Sequence, residues 1–134
     1  MRNTFAEEIT KLASKNKKIV LLSGDIGNRL FDNFRKNHKN RFYNCGIAEA
    51  SMAGIASGLA SMDFLPVTYT ITPFNTMRCL EQIKLDICYP NLPIIIVGTG
   101  SGLSYASLGS THHSLEDISI LRSIPNITIF CPSD

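Results

Sequence analysis

Short apolar runs, each closing in a turn and each followed by a stretch with helical spacing, constrain this chain more than any single residue does. The runs are "KKIVLLSGD", "RFYNC", "FLPVTYT", "YPNLPIIIVGTG" and, near the end, "NITIFC". They are of strand length. Before the first lies a helix of about three turns, with Asn3 as N-cap and Phe5, Ile9, Leu12 and Ala13 at helical spacing. A short polar helix around Phe31 to Asn37 follows, then an Ala/Gly-rich helix that carries Glu49. Pro73 to Cys88 reads as one helix with Phe74, Met77, Leu80, Ile83 and Ile87 on one side, and "SLEDISILRSI" as a short helix capped by Ser114. Strands alternating with helices predict an α/β fold, a parallel sheet covered by helices on both faces.

With 134 residues, 44% of them hydrophobic and 18% charged, the chain has room for one domain (1–134) with a real core, which excludes a disordered segment. No apolar run reaches the roughly 20 residues a membrane span needs. "MRNTFAEEITKL" places two glutamates where a signal peptide would have its apolar core, so a cytoplasmic protein is expected. Cys45, Cys79, Cys88 and Cys131 form no C-x-x-C pair and have no histidine at ligand spacing, which argues for reduced thiols and against a metal site. Most Lys and Arg precede Cys45 without interleaved aromatics, a pattern of a solvated face or subunit contact rather than of nucleic-acid binding. "CPSD" ends the chain just after a strand, with Ser133 and Asp134 as cap residues for a helix that does not follow. A truncated or split piece, its fold incomplete at the C-terminus, is the expectation.

In open parallel sheets ligands bind outside the carboxyl ends of the strands. Asp25 follows the first strand, Glu49 the second, Phe74 the third and His112 the fourth. Glu49 is the one carboxylate, and the one formally charged side chain, in "NCGIAEASMAGIASGLA". Burying an unpaired carboxylate costs several kcal/mol, and the usual escape is a raised pKa and a held proton. The alternative is an ordinary first-turn acid, stabilised by the helix dipole. Ala50, Ala53, Gly54, Ser57 and Gly58 let another backbone come close, which favours deep packing or a second subunit. "GDIGN" has Ile26 in the third position of a G-D-G turn and is rejected as a metal site; "GTGSGLSYASLGS" lacks the spacing of a phosphate cradle and reads as a mobile active-site loop. The adjacent histidines of "STHHS" are not a usual metal pair; one is a candidate proton carrier or hydrogen-bond donor, the alternative being an ordinary loop histidine.

Three segments, "RFYNCGIAEASMAGIASGLA", "PVTYTITPFNTMRCLEQIKLD" and "LGSTHHSLEDISILRSIPNITIFCPSD", together with "MRNTFAEEI" and "LLSGDIG" at the start, resemble the pyrimidine-binding domain of thiamine diphosphate enzymes of the transketolase type. The likeness is greatest to C-terminal subunits of split transketolases, with 1-deoxyxylulose-5-phosphate synthases next. It implies a transferase that moves a two-carbon ketol unit between sugar phosphates or related sugars. The alternatives are a ketoacid-decarboxylating synthase and a non-catalytic assembly subunit. It further implies thiamine diphosphate as cofactor, with Glu49 hydrogen-bonding N1′ of the aminopyrimidine and so promoting the tautomer that deprotonates the thiazolium carbon. Phe74 would pack on the pyrimidine, Asp25 would lie near the cofactor at the dimer boundary, and His112 would face thiazolium and substrate. Arg78 would bind an anionic group of the substrate, and His113 falls where a glutamine is more usual. The diphosphate and a divalent metal, magnesium, would be held by a partner subunit or domain, in a homodimer or heterotetramer. Gly100 stands where relatives carry a histidine, "ASLG" replaces an acidic loop segment, and Ala50 replaces a glutamine, so donor and acceptor recognition is expected to differ.

Overall fold

Five consecutive buried residues make β1 (Ile19–Ser23) a central strand. The computed structural model, which describes residues 1–133, places it between β2 (Phe42–Asn44) and β3 (Leu65–Ile71), with β4 (Ile95–Thr99) beyond β3. All three ladders are parallel, pairing Leu21 with Phe42 and Val67, and Val67 with Ile95. Asp134, read from sequence as a cap residue, lies outside the described residues.

Side chains along a strand alternate between faces, so each strand must be covered twice. Ile19, Leu21, Val67 and Tyr69 meet Ala6, Ile9 and Ala13 of α1 (Arg2–Lys15) and Phe34 of α2 (Asp32–Asn37). Val20 and Leu22 meet Met52 and Ala56 of α3 (Glu49–Ser61) on the other side. The α/β architecture with helices on both faces is therefore the one the alternation predicts. Part of the basic segment before Cys45 is structural. Arg41 donates to the carbonyls of Ala13 (2.9 Å) and Asn16 (3.0 Å), satisfying groups left open at the end of α1, and to Nδ1 of His38 (2.8 Å). No helix among the described residues is long and apolar enough to cross a membrane.

Four local expectations change. α1 starts at Arg2, with Met1 in the cap position, so Asn3 lies inside the helix, and its buried face is Ala6, Ile9 and Ala13, with Leu12 turned out and 51% exposed. Ser114 does not cap a helix: it exchanges two backbone hydrogen bonds with Gly102, each 3.0 Å, and the helix after it, α6 (Asp117–Leu121), begins beyond Glu116. The single helix over Pro73–Cys88 is instead α4 (Thr72–Asn75), a 3-10 turn at Met77–Cys79, α5 (Leu80–Gln82) and a π-helical turn at Ile83–Cys88. Thr76 departs from helical geometry at φ −125° and ψ −80°, and its hydroxyl donates to the Thr72 carbonyl at 2.7 Å, in competition with the backbone ladder. Finally, "NITIFC" forms no strand. Asn126 turns the chain at φ +64° and ties its side chain to the Cys88 carbonyl, and Ile127 packs on the cluster of Ile83, Ile87 and Ile124 rather than pairing with β4.

Two substitutions separate core from unpaired chain. Phe34 is fully buried, so Phe34→Ala should lower unfolding stability by about 3–5 kcal/mol in a denaturant titration. Phe130 is 85% exposed, and Phe130→Ala should change the same unfolding stability by no more than about 0.5 kcal/mol.

Candidate functional site

The carboxyl ends of β1 and β2 are fixed to each other by one amide. Asn44 accepts from the backbone N–H of Gly46 (2.9 Å) and of Asp25 (3.2 Å) through Oδ1, and donates through Nδ2 to the Asp25 carboxylate at 3.0 Å. The turn at Gly46 then delivers Glu49 as the first residue of α3. Glu49 is 2% exposed. It fits there because residue 24 lacks a side chain: a Cβ on Gly24 would lie 3.0 Å from Thr70 Cβ and 3.3 Å from Glu49 Cγ.

The carboxylate is not alone, as its sequence surroundings suggest it should be. Arg78 donates from Nη1 to Glu49 Oε2 at 2.7 Å, a charge-assisted hydrogen bond that compensates the buried charge. The Arg78 guanidinium carbon also lies 4.0 Å from the centroid of the Phe74 ring, within cation–π range. The His112 ring meets Phe74 edge-on, with centroids 5.0 Å apart and planes at 71°, and Thr111 Oγ1 lies 3.0 Å from His112 Nδ1. Glu49, Arg78, Phe74 and His112 thus form one continuous chain of contacts beyond the carboxyl ends of β2, β3 and β4. Asp25 stands apart from that chain, exposed and bound to Asn44 at φ +53°. Asn75 anchors the segment that carries Phe74 and Arg78 by donating to the Val97 carbonyl (2.9 Å) and Thr68 Oγ1 (3.1 Å).

Sequence reasoning passes over two neighbours. Tyr105 lies in the glycine-rich loop with its ring centroid 6.2 Å from that of His112. A Cβ on Gly100, which has φ +69°, would come within 2.0 Å of the Tyr105 ring, so Tyr105 fills the space that a side chain at position 100 would need. The only signal for this in the sequence is an aromatic residue five positions after a glycine. Cys79 is the second. Burial first, and then the Glu49 carboxylate, push its thiol up to about 11, against the opposing pull of the Arg78 guanidinium. Its Sγ–H points at the Phe74 carbonyl at 3.5 Å. Among the described residues no group of three or more His, Cys, Asp or Glu side chains could hold a metal ion.

The whole chain, residues 1–134, matches the family described as transketolase, pyrimidine binding domain. It is 35% identical, over all of its own length and 42% of the relative's, to the 6-deoxy-6-sulfo-D-fructose transketolase subunit SqwH of Clostridium sp. (strain MSTE9). It is 38% identical, over 97% of its length and 21% of the relative's, to the 1-deoxy-D-xylulose-5-phosphate synthase of Acidobacterium capsulatum. A solved structure described as a split gene transketolase, inactive beta4 tetramer, superposes with a TM-score of 0.80 at 34% identity, covering 93% of this chain and 40% of that one. The chain therefore spans less than half the length of these relatives.

Cys79 provides a check on this geometry. The unfolded thiol titrates near 9.0, whereas the folded one holds its proton to about 11, so this contribution to stability is fully present below pH 9 and is lost as pH rises through 11. Denaturant midpoints measured from pH 8 to about 11 should fall, and fall less steeply in Cys79→Ala. At pH 8 a thiol reagent should label exposed Cys131 well before Cys79.

Proposed function

The chain belongs to the transketolase pyrimidine-binding family, and on that premise we propose that it is the pyrimidine-binding component of a transketolase-like enzyme. With a diphosphate-binding subunit or domain it would transfer a two-carbon ketol unit between sugar phosphates or related sugars, in an oligomer of homodimeric or heterotetrameric form. One observation carries the reading. A flat, nitrogen-rich group, the guanidinium of Arg78, already donates to the Glu49 carboxylate and lies over the Phe74 ring with its central carbon 4.0 Å from the centroid. An aminopyrimidine is likewise flat, and its N1′, a ring nitrogen, can share a proton with the Glu49 carboxyl while its face lies on Phe74, so these two side chains fit the cofactor that the family implies, thiamine diphosphate.

When bound, that cofactor supplies the acidic thiazolium carbon on which ketol transfer depends. The residues of this chain would prepare the site for it. Glu49 Oε2 would hydrogen-bond N1′ of the pyrimidine and hold or release a proton there, a role suited to a carboxyl group that is 2% exposed and shielded from competing water. Phe74 would stack on the ring, adding apolar burial to the polar contact. His112, in T-shaped contact with Phe74, would present a ring nitrogen to thiazolium and substrate oxygens. Arg78, over the Phe74 ring, would bind an anionic substrate group once free of Glu49. Asp25, exposed at the end of β1, would meet the cofactor near the boundary with a second protomer. The divalent metal belongs, in this reading, to the diphosphate-binding partner. Words in the names of the relatives, "subunit" for one and "split gene" for another, support such a partner.

Reconstitution with the diphosphate-binding partner tests the proposal. The complex should form new ketose from a ketose phosphate donor and an aldose acceptor, and Glu49→Gln should lower turnover by about 100-fold or more with the fold retained. Wild-type turnover in Glu49→Gln would contradict the catalytic role, and turnover with pyruvate in place of the ketose would move the reading to a decarboxylating synthase.

A further inference from the structure

Both surfaces assigned above to the pyrimidine are taken by one side chain of the protein itself. Arg78 sits 2.7 Å from Glu49 Oε2 and 4.0 Å from the centroid of Phe74. We propose that Arg78 is an internal competitor for the pyrimidine site, a latch that closes it until the cofactor displaces the guanidinium. The proposal rests on the reading that Glu49 and Phe74 take the pyrimidine.

Exclusion is the first ground. Two flat groups cannot lie on the same ring face and use the same carboxylate oxygen, and the His112 ring already makes a T-shaped contact with Phe74, centroids 5.0 Å apart. A bound pyrimidine and the present position of Arg78 are therefore alternatives. The second ground is that the closed state is the stable form of the empty site. Glu49 has 1% of its side chain exposed, and a carboxylate so buried needs a counter-ion or a donor at all times. Arg78 meets that need until a ligand replaces it whose ring nitrogen shares a proton, taken up from water, with the carboxyl group. Ease of opening is the third. The Arg78 side chain is 42% exposed, so rotation about its own bonds carries the guanidinium to water while α3 and the strand ends stay in place.

A site that is open for only part of the time binds with an apparent affinity reduced by the open fraction. Removal of the latch should therefore strengthen cofactor binding. The release also couples two events: the charge that closes the empty site is set free only when the pyrimidine is seated, so cofactor and an anionic second ligand would each favour the other.

Titration of thiamine diphosphate into the reconstituted complex, followed by calorimetry and by stopped-flow protein fluorescence, tests the latch. Arg78→Met should bind the cofactor about fivefold or more tightly, with a faster association phase, and should melt at a lower temperature than wild type when cofactor is absent. Arg78→Lys keeps the counter-ion but not the flat guanidinium, and should fall between the two. Phe74→Ala serves as the control for the site and should bind more weakly. Equal or weaker binding by Arg78→Met, or binding by Arg78→Lys weaker than wild type, overturns the latch while weakened Phe74→Ala leaves the pyrimidine site standing. If neither Phe74→Ala nor Glu49→Gln changes cofactor affinity, the pyrimidine reading itself fails and the latch with it.

Discussion

A carboxylate almost wholly withdrawn from water must be matched by charge or by donors, and the candidate site is organised around that demand. Glu49 enters the fold as the first residue of a helix, behind a glycine that leaves room for its stem and beside Thr70. Nothing in its own segment can neutralise it. The compensating charge comes from Arg78, 29 residues later in the chain, across a contact of 2.7 Å. That contact in turn brings the guanidinium over Phe74 and links the crossover after β2 to the one after β3.

The parallel sheet makes this meeting possible. Every crossover returns to the same edge, so loops far apart in sequence share one rim, and the ladders that join β1 to β2 and β3, and β3 to β4, fix their spacing. Two amides stiffen the rim: Asn44 joins the ends of β1 and β2, and Asn75 ties the segment after β3 to the Val97 carbonyl of β4. Against this background Arg78 reaches the rim on a long side chain that is 42% exposed. In the proposal made above, such fixed polar groups and one displaceable cation would receive a flat heteroaromatic ring.

Much of the architecture is legible in the sequence because apolar runs of strand length alternate with helical stretches, which requires a covered parallel sheet, and because helical spacing in α1 places Ile9 and Ala13 on its buried face. The rim position of Asp25, Glu49, Phe74 and His112 follows from the same alternation. What escapes is whatever depends on a partner distant in sequence. The Arg78–Glu49 pair is of that kind, as is the seat of Tyr105 over Gly100, a contact invisible without the turn between them. The helical spacing from Phe74 to Ile87 is real, yet a threonine hydroxyl at position 76 breaks the ladder that spacing predicts. "NITIFC" has the composition of a strand, but composition gives no edge to pair with, and the turn at Asn126 sends Ile127 to the helix cluster instead.

Coordinates of the reconstituted complex crystallised with thiamine diphosphate examine the central claim most directly. The pyrimidine ring should lie on Phe74 with N1′ at hydrogen-bonding distance from Glu49 Oε2, and the guanidinium of Arg78 should have left both. A ring bound elsewhere while the Arg78–Glu49 contact stays intact would contradict the account.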